Sequence, residues 1–144
     1  MSLFYKRITL VVADIERSLT VYRDILGFTV NSIKPSDDDS YSYPVFRIPY
    51  EAKVSFATLD GPEQNRTIGL TEVKGVPLPP SEGIRMTASV IKVENLTNVI
   101  DKIKKLGLET TVPETDGNDN FSFLEQAFVD FDGHLIVLYE ILES

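Results

Sequence analysis

The sequence predicts an α+β chain of two βαβββ modules whose mixed sheets curve into an open cup with the helices outside. Three observations carry this reading. Residues 7–30 (RITLVVADIERSLTVYRDILGFTV) and residues 88–111 (ASVIKVENLTNVIDKIKKLGLETT) share one order of strand, turn, helix, glycine and strand. Asp14-Ile15 answers Asn95-Leu96 at the helix start, about 81 positions on, and Gly27-Phe28 answers Gly107-Leu108 at its end. Strand-like stretches outnumber helix-like ones about eight to two, and each helix follows the first strand of its repeat. A unit that occurs twice sets equivalent side chains symmetrically around a shared concavity.

The elements follow in order. The first strand reads over Lys6–Val12, where Ile8, Leu10 and Val12 alternate with Arg7, Thr9 and Val11, the pattern of a sheet with two unlike faces. Ile8, Leu10 and Val12 are set against the helix, so Arg7 faces the cup. Asp14 is suited to cap the helix that follows. Ile15, Ser18, Leu19, Tyr22, Ile25 and Leu26 form its buried stripe, and Gly27 supplies the left-handed residue that ends it. Phe28–Lys34 returns as a strand, PSDDDS is a solvated turn, and strands follow at Tyr43–Ile48 and Lys53–Leu59.

Residues 60–83 are rich in Gly and Pro, with only Thr67–Val73 suited to extension, and read as a tether. The 144 residues are then one domain, with modules at about 4–59 and 84–142. The second module opens with a strand at Met86–Val93 and a helix whose stripe is Leu96, Val99, Ile100, Ile103 and Leu106. A short strand at Glu109–Val112, the polar loop PETDGNDNFSF, and strands at Glu125–Val129 and Leu135–Glu140 joined by a DFDG turn complete it.

Composition narrows the function classes. A net charge of −8 and a pI near 4.6 disfavour nucleic acid and anionic membrane surfaces as partners. No apolar run reaches transmembrane length, and the start MSLFYKRITL lacks a secretory pattern, so the expected location is cytoplasmic. With no cysteine, disulfides, thiolate nucleophiles and sulfur-ligated metals are excluded. Asn65, Asn95 and Asn120 head Asn-x-Ser/Thr triplets, which matter only for a secreted chain.

Two stretches carry a family resemblance. VVADIERSLTVYRDILGF at 11–28 and FVDFDGHLIVLYE at 128–140 resemble the opening and closing signatures of the vicinal oxygen chelate superfamily: glyoxalase I, extradiol dioxygenases, bleomycin-resistance and fosfomycin-resistance proteins. The resemblance implies the glyoxalase/bleomycin-resistance-like fold. Metal-dependent members place His, Glu or Gln on the first and last strands of each module. Carried over, those positions fall on Arg7, Ser55, Ala88 and Val137. Guanidinium, methyl and isopropyl groups offer no lone pair to a cation, so no metal and no cofactor is expected.

His134, the only histidine, falls in the turn after Asp-Gly, with a parity that turns it from the cup, and Glu140 shares that parity. Arg7 is suited to grip a carboxylate, phosphate or phenolate by a bidentate contact, or else to pair with one of the 22 acidic residues. Arg47 and Arg85 are further cationic candidates. Tyr139, with Tyr41, Tyr43, Phe56, Phe121 and Phe123, is suited to wall an aromatic pocket. Asp37–Asp39 and Asp116–Asn120 lack the spaced oxygens of a calcium loop and read as solvated turns. The leading expectation is a metal-free homodimer that binds a small apolar or aromatic, anionic molecule through Arg7, Arg47, Ser55, Ala88, Val137 and Tyr139. A glyoxalase- or dioxygenase-type enzyme with displaced ligands, and a structural or regulatory dimer with a self-filled cup, are the alternatives.

Overall fold

Two four-stranded sheets of identical strand order carry the chain, one in each of two compact units, Met1–Pro79 and Pro80–Ser144. The structure is a computed structural model, and it describes residues 2–118 and 120–142. In the first unit β1 (Ile8–Val12), β2 (Thr29–Pro35), β3 (Lys53–Asp60) and β4 (Ile68–Lys74) lie in the order β1-β4-β3-β2. In the second, β5 (Ser89–Lys92), β6 (Glu114–Gly117), β7 (Ser122–Val129) and β8 (Leu135–Leu142) lie in the order β5-β8-β7-β6. The outer pairs β1/β4 and β5/β8 are parallel and the rest antiparallel. The fold is α+β, as the repeat predicted.

The helix that follows the first strand of each unit starts with the same pair of devices. Asp14 accepts from the Arg17 amide at 3.1 Å, and Asn95 accepts from the Asn98 amide at 3.2 Å. These are side-chain caps on free first-turn donors. In addition, a carboxylate reaches in from the last strand of each sheet. Glu72 of β4 accepts from the Ile15 amide at 2.7 Å and Glu140 of β8 from the Leu96 amide at 2.9 Å. A negative charge at a helix N-terminus also meets the positive end of the backbone dipole. Glu140 thus lies on the helix side of its sheet, as its parity indicated.

Beyond their starts the helices differ. α3 (Leu96–Lys105) is regular and buries Leu96, Ile100 and Ile103 against β7 and β8, where Phe128, Ile136 and Leu138 are fully enclosed. α1 (Ile15–Leu19) runs instead into a π-helical turn, Thr20–Ile25. There the Leu26 amide bonds to the Val21 carbonyl at 2.9 Å, and the Phe28 amide to the Tyr22 carbonyl at 2.9 Å. The wider turn brings Val21 beside Tyr22 into the core, both fully buried, whereas an α-helical stripe leaves Val21 out.

Three expectations are corrected. Tyr43–Ile48 is not a strand, because Ser42–Phe46 forms a helix, α2. Pro44 falls in its first turn, where the missing N–H is not needed, whereas in a strand it removes a ladder bond. Tyr43 turns inward with Ile48, Ala52, Val54 and Val73 to make a small core, and its hydroxyl donates to the Ala52 carbonyl at 2.8 Å. Ile68–Lys74, read as part of the 60–83 tether, is β4, an inner strand flanked by β1 and β3. The second strand of the second unit is not Glu109–Val112, where Thr110 makes only an isolated bridge to Phe128, but β6, Glu114–Gly117, within the polar loop. Asp119, in the run Asp116–Asn120, lies outside the described residues.

Candidate functional site

Cross-strand partners point to the same side of a sheet and alternate along each strand, so register assigns the two faces. In the first sheet Glu72, which touches the start of α1, is paired with Val12 and Ser55. The opposite face carries the row Thr9–Gly69–Thr58–Ser32 and beside it Val11–Thr71–Phe56. In the second sheet Glu140, Leu138 and Ile136 face α3. The other face carries Val90–Val137–Ala127 and Lys92–Tyr139–Glu125–Glu114.

The matching helix caps give the correspondence between units. Ile15 answers Leu96 and Glu72 answers Glu140, so Thr9 matches Val90 and Gly69 matches Val137. The parallel pairs Thr9↔Gly69 and Val90↔Val137 agree with this. Ser55 is therefore corrected. It sits on β3, on the side of α1, while the last strand of the module is β4 and its position equivalent to Val137 is Gly69. Hiding α2 among the strands and β4 among the loops displaced the assignment by one strand.

Gly69 has no room for a ligating side chain. A Cβ there would lie 2.9 Å from the Thr9 hydroxyl and 3.0 Å from two ring atoms of Phe56, so an aromatic ring occupies the space above it. The Thr71 hydroxyl, on the cross-strand partner of Phe56, is buried with no hydrogen-bond partner among the described residues. Thr58 is also fully buried, its hydroxyl 2.8 Å from that of Ser32.

Arg7 precedes β1, on the parity of Thr9. Its Nε donates to the Arg66 carbonyl at 3.1 Å, and no carboxylate among the described residues pairs with it. Arg47 is corrected from a strand to the left-handed residue that ends α2, with φ 58°. Arg85 is committed to Glu109 at 3.0 Å. Ala88 lies exposed just before β5, and Val137 is half-buried. Tyr139 meets Phe123 edge to face at 6.5 Å, and Phe121 stacks on Phe123 at 5.9 Å. Tyr43 packs in the small core with Val54 and Val73, on the face that carries Val11 and Phe56, and Tyr41 is 80% exposed. His134 stays in its turn, its amide donating to Asp130 at 2.9 Å.

The metal implied by the resemblance does not fit this donor set. The four equivalent positions hold Arg7, Gly69, Ala88 and Val137, and none has an electron pair to give. Among the described residues no three His, Cys, Asp or Glu side chains group as ion ligands. Nor is any helix among them long and apolar enough to cross a membrane.

The model of the Glyoxalase/Bleomycin resistance protein/Dioxygenase superfamily matches residues 5–138. No curated protein matches the chain in sequence. Among solved structures, a glyoxalase family protein from Bacillus cereus is 17% identical, with 99% of this chain and 97% of that one covered, at a TM-score of 0.77. The fosfomycin resistance protein FosX from Listeria monocytogenes, solved with Mn(II) and sulfate, is 18% identical over 97% of this chain and 93% of its own, at 0.62. The trypanothione-dependent glyoxalase I of Leishmania major is 18% identical over 96% and 87%, at 0.61. At these identities the likeness concerns the fold. With a family match across nearly its whole length, the chain belongs to the glyoxalase/bleomycin resistance protein/dioxygenase superfamily.

Proposed function

We propose that this chain is a metal-independent member of its superfamily that binds a small apolar or aromatic molecule bearing an anionic group, and that it does so as a homodimer. The observation that carries the reading is the set at the four ligand positions: a cation, a glycine roofed by Phe56, an alanine and a valine. Such a set gives a cation no electron pair: the first unit contributes a fixed positive charge and the second contributes apolar side chains. Apolar and aromatic walls with a few placed polar groups are the usual makeup of a small-molecule pocket. Arg7 supplies the charge, since its Nη groups have no partner among the described residues. Within the second unit Tyr139 and Phe123 present flat apolar surface.

The homodimer follows from the self-complementary way in which repeated modules close. Light scattering at micromolar concentration gives twice the chain mass on this reading, and the mass of one chain counts against it. The function itself is tested by melting shifts with naphthoate and its neutral amide, beside elemental analysis of protein purified without chelator. Naphthoate raises the melting temperature more than naphthamide. Arg7→Ala erases the difference at a cost of ~1.5–3 kcal/mol in binding, roughly tenfold to hundredfold in affinity. Near one equivalent of Zn, Mn or Ni, lost to chelator together with stability, would overturn the metal-independent reading.

A further inference from the structure

The edge of the first sheet contains a chain of hydrogen bonds that ends on Arg7. β2 carries a bulge at Asn31, which the ladder skips between Val30 and Ser32. Bulges re-aim side chains, and here the Asn31 amide donates to both carboxylate oxygens of Asp60, at 3.1 and 3.2 Å. Asp60, the last residue of β3, in turn accepts from the Arg66 amide at 2.6 Å. Arg66 holds a left-handed backbone, φ 57°, a conformation that disfavours any residue with a Cβ and persists only where its surroundings enforce it. That conformation sets the Arg66 carbonyl 3.1 Å from the Arg7 Nε. The flanking backbone is tied to the same turn: Gln64 donates to the Lys6 and Tyr5 carbonyls, and the Ile8 amide to the Thr67 carbonyl.

We infer that Asn31, Asp60 and Arg66 are positioning residues that hold the Arg7 guanidinium with its Nε spent and its two Nη groups presented end-on. Of the five guanidinium N–H groups, the one beside the stem is used internally. The remaining edge matches the two oxygens of a carboxylate in the bidentate manner. The inference rests on the reading of Arg7 as an anion anchor and deepens it by naming a carboxylate as the group received.

Its test exploits the sign of a charge. Were Asp60 only a neighbouring carboxylate, removing it would make the region more positive and tighten binding of any anion. As a positioning residue, its loss frees the Arg66 turn and loosens Arg7. Naphthoate and naphthamide are titrated against wild type, Asp60→Ala, Asp60→Asn and Asn31→Ala. Asp60→Ala weakens naphthoate by about threefold to tenfold, the equivalent of one hydrogen bond, and leaves naphthamide unchanged. Asp60→Asn, which keeps an acceptor oxygen and loses the charge, leaves naphthoate unchanged or tightens it. Asn31→Ala gives a smaller loss than Asp60→Ala, and serves if that variant does not fold.

Equal or tighter naphthoate binding by Asp60→Ala overturns the inference. The free protein gives an independent readout, a slowly exchanging Arg7 Nε–H resonance that collapses in Asp60→Ala and survives in Asp60→Asn. A wild type that does not prefer naphthoate to naphthamide defeats the anion-anchor reading. The relay then stands or falls on that resonance alone, and its persistence in Asp60→Ala overturns it.

Discussion

The two units agree on the faces that meet their helices and disagree on the faces that do not. Strand order, parallel outer pair, side-chain cap and strand-borne glutamate are the same in both. On the opposite faces Thr9 stands against Val90, Gly69 against Val137 and Thr71 against Tyr139. The first unit also inserts α2 and its small core between β2 and β3, whereas in the second β6 ends at Gly117 and β7 begins at Ser122. In the first unit that face is closed over buried threonines. In the second it exposes Val90 at 64% and Phe121 at 42%. Packing against a helix tolerates few solutions, so the repeat survives there. The other face is free to change.

The largest expected effect breaks the shared side of the comparison. Tyr22 and Phe128 are the largest fully buried side chains of their units. Replacing either by Ala removes about 3–5 kcal/mol, as large-to-small core changes do. Urea unfolding followed by both far-ultraviolet circular dichroism and tyrosine fluorescence measures the loss. It also shows whether the units unfold together: coincident transitions in both variants mean one cooperative fold, and a split transition means independent units.

Next is Gly69→Ala, which tests the unshared side. The added methyl meets the Phe56 ring and Thr9, and overpacking of this kind costs about 1–3 kcal/mol. The equivalent position of the second unit already holds Val137, so the cost belongs to the first unit's filled face and not to the fold. Phe56→Leu in the same chain recovers part of the loss. A Gly69→Ala protein as stable as wild type would mean that Phe56 does not lie over Gly69.

A finer test concerns the paired glutamates. Glu72→Ala and Glu140→Ala each leave one helix-start amide without its carboxylate, a loss of about 0.5–2 kcal/mol. Equal shifts in urea midpoint support the symmetry. A loss confined to Glu72→Ala would show that α3, longer and regular, does not depend on its strand for a start.

Much of this was legible in the sequence, and the failures have causes. Asp14, Asn95, Gly27 and Gly107 mark helix ends by local chemistry that needs no partner. β4 was hidden because Gly and Pro crowd both its sides, and because an inner strand shows its logic only when its neighbours are known. The apolar Tyr43, Val45, Phe46 and Ile48 suit a strand as well as a helix, and Pro44 decides for the helix. The two errors offset one another, leaving the strand count of the first module right and its last strand wrong. Ser55 took the place of Gly69 for that reason. β6 was missed because Glu114–Gly117 is wholly exposed and polar, so its pairing, not its composition, makes it a strand. Arg7, Ala88 and Val137 are counted from helix and turn markers, so neither error displaces them. The role of Asp60 and Arg66 had no signal at all, since a left-handed arginine is set by backbone geometry.

The smallest effect separates the two caps by pH. Asp14 and Asn95 do the same work, but only Asp14 titrates. Its carboxyl is held below its ordinary value of 3.8, chiefly by the Arg17 amide that it accepts from and also by Lys74, 3.5 Å away. Burial acts in the opposite direction and is outweighed. A carboxylate with a folded pKa below its unfolded one binds protons more weakly in the folded state. Its stabilisation is therefore complete above the unfolded value and is lost as pH falls through the folded one. Asp14 is partly exposed, so the effect is reduced by solvent. Asp14→Asn retains an acceptor for the Arg17 amide, as Asn95 does for Asn98, and removes the titration. Urea midpoints measured from pH 6 downward fall less steeply in Asp14→Asn than in wild type below pH ~4, while the two proteins differ little at neutral pH. Parallel curves would mean that the cap acts through its oxygen alone and that the first unit's helix start, like the second's, is indifferent to charge.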